Sequence, residues 1–315
     1  MRDVPVLVTY DIHVGTHAAE DVARYLGTVL EEHARLAIPA SFHFPASAAR
    51  AMAPRVRELI AVGHAVGNHG LTHGPGEIYN VLPPDVQEET LREATRQLED
   101  VTQQPVRFFR APVFRINGAT IQALGHLGYD AELSMNSQRL GLLSSDPSNV
   151  TWLLSPRRPY HPDMDRPWRR GAARLWELPL SCWLVPFMSN TMLIFKLGFM
   201  KALFRGLYAE ARLSGGPIVF MTHPEELHAD RAAAARHPFR WRELWPSTYG
   251  FGFRHALMEN DPGAIARQSR ELFAYMRGFP GVKFFTVPEF VGRLNGSRPA
   301  RPSAASERAD ALQIA

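Results

Sequence analysis

Val6-Leu7-Val8-Thr9-Tyr10, then a helical run, then Ser41-Phe42-His43-Phe44 is the stretch on which the fold turns. Val6 to Tyr10 reads as a short buried strand. Thr16 can cap the helix after it, in which Val22, Leu26, Val29 and Leu30 recur at helical spacing until Pro39. Ser41 to Phe44 is a second strand, so the opening is a strand, a helix and a strand. The pattern repeats outward. Pro54 opens a helix with Val56, Leu59 and Ile60 as its stripe and Gly63 as its stop, before the strand His64 to Asn68. Pro83-Pro84 opens a long helix carrying Val86, Thr90, Ala94 and Leu98, and Val106 to Phe109 follows as a strand. Asn117 caps a helix ending at Gly128, and Tyr129 to Leu133 is the next strand.

Late in the chain come the strand Pro217 to Thr222, a helix from Asp261-Pro262, the strand Val282 to Thr286 and a last helix to Leu294. Alternating strands and helices predict a parallel sheet, and the number of units favours a closed or nearly closed β/α barrel. The less regular stretch 134–216 is expected as an insertion on one face. Residues 1–295 form one domain on this reading, and 296–315, rich in Gly, Ser, Arg, Pro and Ala, a disordered tail.

Composition excludes several classes. With 315 residues, 45% hydrophobic and 21% charged, the chain can bury a core. Its net charge of +4 comes without a dense basic run, so nucleic acid is not an expected partner. Cys182 is the only cysteine, which rules out intramolecular disulfides and multi-cysteine metal sites. Met1-Arg2-Asp3-Val4-Pro5 leads straight into a strand without a signal-peptide core, and the expected location is cytoplasmic.

The strongest local signal is Gly67-Asn68-His69-Gly70-Leu71-Thr72-His73, two imidazoles four residues apart just after a strand. On a helical turn such residues share a face and can grip one divalent metal, with a third ligand from another strand end. In a parallel barrel Asp11 and His13 emerge on the same carboxyl-end rim. Arg110 ends the fourth strand and His223 ends the strand Ile218 to Thr222, so an acid, an arginine and several histidines converge there.

These segments resemble the polysaccharide deacetylase family, also called the NodB homology domain or carbohydrate esterase family 4, in order and spacing over most of residues 4–294. Gly63 to His73 resembles the family's histidine motif, and Phe109-Arg110-Ala111-Pro112-Val113 its arginine-proline motif with valine where tyrosine is usual. Met221-Thr222-His223 resembles the late histidine motif. The first motif departs: the usual pair of adjacent aspartates is here Asp11-Ile12-His13. On the register of the branch that spaces its acids by one residue, His13 falls at the ligand position. The resemblance implies a distorted barrel and a metal-dependent N-deacetylase of an amino sugar. It further implies Asp11 as base, His223 as acid, Arg110 orienting Asp11 through a paired hydrogen bond, and the backbone N–H of Val113 at the oxyanion. His13, His69 and His73 would hold one divalent metal, zinc first, with cobalt, nickel or iron as other occupants. Trp176-Glu177 lies where the family keeps an acid-and-tryptophan motif, in loose register, and Glu177 is given no role.

Plainer roles exist for each: a loop cap for Asp11, a substrate contact for His13, a structural ion pair for Arg110, a turn for His223. Two other functions stay open, a hydrolase of a non-sugar linear or cyclic amide, and a non-catalytic sugar-binding or membrane-docking protein. The apolar segment Leu184 to Tyr208, interrupted by Lys196, Lys201 and Arg205, reads either as a barrel helix or as a helix lying on an anionic membrane. On the second reading the substrate is a lipid-linked saccharide or glycolipid and the protein sits on the inner face of the membrane.

Overall fold

The computed structural model describes residues 3–13, 19–138, 153–224, 241, 246–247, 250–251 and 261–296. The Thr16 cap and the tail beyond residue 296 lie outside them. In chain order the elements are β1 (Val4–Asp11), α1 (Ala19–Leu36), β2 (Ser41–Phe44), α2 (Ala46–Ala51), α3 (Ala53–Ala61), β3 (Ala65–Asn68), α4 (Pro84–Thr102), β4 (Phe108–Phe109), α5 (Gly118–His126), β5 (Ala131–Glu132) and β6 (Trp176–Glu177). They continue with β7 (Cys182–Trp183), β8 (Val185–Pro186), α6 (Ser189–Ser214), β9 (Ile218–Thr222), β10 (Pro246–Ser247), β11 (Gly250–Phe251), α7 (Pro262–Arg277), β12 (Val282–Phe285) and α8 (Val287–Leu294).

One eight-stranded sheet runs β12-β1-β2-β3-β4-β5-β6, with β9 on the other side of β1, and every pairing in it is parallel. Past β6 the chain bends toward β9, where the Ser181 N–H donates to the Val219 carbonyl at 3.2 Å and the Val219 N–H to the Ser181 hydroxyl at 2.9 Å. The sheet therefore curls into the expected nearly closed barrel. β7 with β8, and β10 with β11, form small antiparallel pairs outside it.

Strand alternation sorts β1 between two cores. Val4, Val6, Val8, Tyr10 and Ile12 face the helices, where they join Leu26, Val29, Phe42, Val56, Leu98 and Phe204 in the main core. Leu7 instead packs with Phe108, Leu133, Leu178, Val219 and Phe290 in the interior core. Thr9 and Asp11 continue that inward row to the carboxyl end of the strand. Helix ends follow the sequence where caps exist: Asn117 and Thr120 make a capping box for α5, and Thr286 with Glu289 another for α8.

Part of 134–216 belongs to the barrel itself. β6 extends the sheet, and α6 packs Met192, Met200, Leu203, Phe204 and Leu207 into the main core. The apolar bulk of 184–208 is thus mostly barrel helix, leaving Leu184, Phe195 and Phe199 on the surface, the two phenylalanines in ring contact at 4.9 Å. Among the described residues no helix is long and apolar enough to cross a membrane.

Candidate active site

The carboxyl ends of β1, β2, β3, β4 and β9 bring Asp11, His43, His69, Arg110 and His223 to one rim, with His13 and His73 on the loops just beyond. Parallel ladders make this placement automatic, because every strand ends at the same side. Backbone bonds carry the register past the strands: Ile12 N–H to His43 O, His69 N–H to Phe44 O and Arg110 N–H to Asn68 O.

His13, His69 and His73 each offer a ring nitrogen, and the three nitrogens lie within 4.8 Å of one another. The His13 ring lies 4.4 Å from that of His73 and 5.8 Å from that of His69, centre to centre. His69 Nδ1 faces the Arg110 carbonyl at 2.7 Å, so it carries the proton and Nε2 keeps the lone pair. Nε2 of His69 and Nε2 of His73 are buried without a hydrogen-bond partner. A buried imidazole nitrogen left bare costs about 1–3 kcal/mol unless something binds it, and these two rings with that of His13 beside them suit a divalent cation. Burial drives the pKa of all three down, that of His69 to about 3, so the lone pairs are available at neutral pH.

The two histidines of the Gly67–His73 motif do not share a helical face, as their spacing suggests. They sit on a loop, with Gly70 at φ +90° and His73 at φ +58°. Glu77 folds that loop. Its carboxylate accepts from the N–H groups of Leu71, Thr72 and His73 at 2.5, 2.7 and 2.9 Å, and from the Thr72 hydroxyl at 2.9 Å. A Cβ on Gly70 would lie 2.3 Å from Glu77 Oε1, and one on Gly67 would lie 2.2 Å from the Phe108 ring. Glycine is therefore needed at both positions.

Arg110 is fully buried and its Nη1 donates to Asp11 Oδ1 at 2.8 Å. The contact is single, not the paired bond the resemblance implies. Nη1 also donates to the Thr9 hydroxyl at 2.9 Å, and Nε donates to the Leu133 carbonyl at 3.0 Å, which turns the fork along the rim. Burial pushes the Asp11 carboxyl up, but the Arg110 guanidinium and the neighbouring histidines outweigh it and hold the group well below the usual carboxylate range. The His223 ring lies 4.4 Å from that of His13, which puts it at the same opening.

Val113 occupies a tight turn after Arg110 with φ +52°, a conformation that β-branched residues avoid. The N–H groups of Phe114 and Arg115 close that turn onto Ala111 O and Pro112 O, and the Val113 N–H takes no part in these bonds. Glu177 lies elsewhere. It alternates with Trp176 and Leu178, which pack on the interior core, and its register partner is Glu132. Burial, then the Glu132 carboxylate, raises the Glu177 pKa well above the usual value. The side chain that the sequence reading missed is His43, fully buried and 3.3 Å from Asp11 Oδ1 through its Nδ1. Glu77 was missed too, because its role depends on a loop path that spacing does not reveal.

Residues 2–131 match the family model for polysaccharide deacetylase, a stretch holding Asp11, His13, His69, His73 and Arg110. Over that stretch the chain is similar to the polysaccharide deacetylase family. The fold extends the likeness past the matched stretch to β9 and His223. A Mycobacterium smegmatis protein described as a polysaccharide deacetylase is 17% identical, with 96% of this chain and 95% of that chain covered at a TM-score of 0.60. Another described so, from Pseudomonas aeruginosa PAO1, is 13% identical over 95% and 93% at 0.58. Puue allantoinase is 13% identical over 95% and 93% at 0.60. At these identities the likeness is one of fold. No curated protein sequence matches the chain.

Proposed function

We propose that the chain is a divergent member of the polysaccharide deacetylase family and a metal-dependent hydrolase that removes an N-acyl group, N-acetyl foremost, from an amino sugar. The observation that carries the reading is the convergence of ring nitrogens of His13, His69 and His73 within 4.8 Å of one another, beside a buried, ionised Asp11. His13, His69 and His73 would hold one divalent ion, zinc first. Bound there, the ion supplies a polarised acyl carbonyl and a water whose pKa falls toward about 7. A three-imidazole set carries one more positive charge than an aspartate with two histidines, which favours a more acidic water at some cost in metal affinity.

The remaining steps belong to the chain. Asp11 takes the proton of the attacking water. Arg110 orients Asp11 and keeps it charged. The C–O bond forms first, and His223 then gives a proton to the departing amine as its C–N bond breaks and the carbonyl re-forms. The Val113 N–H donates to the oxygen that gathers charge. Metal content per chain, measured after gentle dialysis together with acetate release from N-acetylated amino sugars, tests the proposal. The expected result is near one divalent ion in wild type, loss of metal in His13→Ala and His69→Ala, and acetate release that follows the metal. No specific metal after reconstitution would overturn it.

A lipid-linked saccharide or glycolipid is the finer substrate proposal. Its support is the exposed Phe195 and Phe199 pair on α6 beside Lys196, an arrangement suited to an anionic membrane surface on the cytoplasmic side. Binding to anionic vesicles that weakens in Phe195→Ala, with preference for lipid-linked over soluble nucleotide-linked substrate, is the expected outcome. Preference for the soluble substrate would sink the membrane idea.

A further inference from the structure

Asp11 and His43 are register partners on neighbouring parallel strands, and both side chains turn into the barrel. His43 is fully buried, and its Nδ1 faces two oxygens, Asp11 Oδ1 at 3.3 Å and the Tyr10 carbonyl at 3.4 Å. Both are acceptors, so Nδ1 carries the proton. Nε2 is then a bare lone pair, buried without a donor. An imidazole that leaves one nitrogen unsatisfied in a core needs a reason, since phenylalanine would fill this space against Phe108 without that cost. The metal cluster does not supply the reason. His43 is not among the three residues whose ligand atoms converge, and its ring lies 6.5 Å from that of His69, against 4.9 Å between His69 and His73.

The contacts on Asp11 do. Arg110 Nη1 and His43 Nδ1 both meet the same oxygen, Oδ1, and neither meets Oδ2. We propose that His43 is a positioning residue which, with Arg110, pins Oδ1 of Asp11 so that Oδ2 faces the attacking water, a role that rests on Asp11 acting as the base. Arg110 alone holds Asp11 by a single bond that it shares with Thr9, which leaves the carboxylate free to swing about that contact. A second donor from another strand removes the swing. The expectation differs from that of a space-filling residue, because it depends on where on the ring the donor sits.

Three variants separate the roles. An asparagine amide overlies the position of Nδ1, a glutamine amide reaches the position of Nε2, and phenylalanine keeps the volume with no donor. His43→Phe and His43→Gln are expected to lose about 10- to 100-fold in kcat with KM little changed, and His43→Asn to recover most of that loss. Metal content and melting temperature, measured on the same preparations, are expected to stay close to wild type. Acetate release from an N-acetylated amino sugar is the activity probe. A second readout needs no substrate: in metal-free protein the His43 Nδ1 proton should resonate far downfield and move in Asp11→Asn. Equal loss in the Asn and Gln variants, an unimpaired His43→Phe, or an unprotonated Nδ1 would each overturn the positioning role. An Asp11→Asn enzyme that turns over like wild type would instead remove the reading of Asp11 as base. If His43→Phe does not fold, the Asn and Gln pair and the proton resonance still decide. If wild type releases no acetate, the resonance alone decides.

Discussion

Two histidine clusters flank the same three strands, and they differ in what their nitrogens do. On the helix side of β1, β2 and β3, His33 Nε2 meets the Tyr10 hydroxyl at 2.8 Å and Nδ1 meets the Ile38 carbonyl at 2.7 Å. His64 Nδ1 accepts from the Ala40 N–H at 3.1 Å. At the rim, Nε2 of His69, His73 and His43 is buried with no partner. Burial lowers the pKa in both places, to about 4 for His33, about 3 for His64 and about 3 for His69. A depressed histidine therefore does not mark a site by itself. What marks one is lone pairs left bare together, since a satisfied ring is part of the core, whereas the bare Nε2 atoms of His69 and His73 converge with His13 on one point and ask for a ligand.

The largest effect expected from this contrast is on turnover. Asp11→Asn keeps the shape of the rim and removes the base, so the rate of acetate release should fall by about 10²- to 10⁴-fold with metal content unchanged. Equal loss of metal in that variant would make Asp11 a ligand and dissolve the division of labour proposed for the rim. His69→Ala should instead empty the metal site as read by elemental analysis. The matching change behind the sheet, His33→Leu, should leave the metal in place and appear only in stability. Metal loss in His33→Leu would mean that the two clusters are not independent.

Why the sequence carried so much of the fold, and less of the site, follows from what each depends on. Strand and helix alternation is local, so β1, β2, β3, α4, the Asn117 cap and the late β9, α7, β12 and α8 were all legible from periodicity and stop signals. The stretch 134–216 was not, because β6 is two residues long and is held by its register with β5 rather than by any pattern of its own. At the rim, Asp11, His13, His69, His73, Arg110 and His223 stood out because parallel strands end on one side. His43 did not, since a histidine inside an apolar strand carries no signal until the register sets it beside Asp11. The path of the His69 to His73 loop was misjudged for a related reason. Its shape comes from a carboxylate four residues after the motif.

That carboxylate yields the next prediction in size. Glu77→Ala strips five donors of their acceptor, the Tyr79 hydroxyl among them, and frees a loop held at φ values that residues other than glycine resist. A stability loss of about 1–3 kcal/mol by denaturant titration is expected, with weaker metal binding because His73 is on that loop. Intact metal affinity in a destabilised Glu77→Ala would show that the rim holds its ligands without the loop.

The acid side of the stability profile separates folding from binding. His33 and His64 stay neutral when folded and take up protons when unfolded, so their folded pKa values lie below the unfolded value of about 6.5. Their contribution is full above that pH and is lost as pH falls, down to about 4 for His33 and about 3 for His64. Each proton costs about 1.4 kcal/mol per pH unit within its window. Metal-free protein should thus lose stability between about pH 6.5 and 4 in denaturant titrations. A flat profile would mean that these rings are charged in the fold.

The smallest change is the most exacting test of whether the two faces act apart. In Tyr10→Phe the hydroxyl that donates to His33 Nε2 disappears, while the backbone of β1 and its neighbour Asp11 remain. The loss should be about 1 kcal/mol, the value of one buried hydrogen bond. Because Tyr10 and Asp11 point to opposite faces of the same strand, turnover and metal content should not move with it. If stability falls and acetate release falls in step, the satisfied cluster is bracing the rim through β1. The contrast between a structural face and a chemical face would then be a matter of degree.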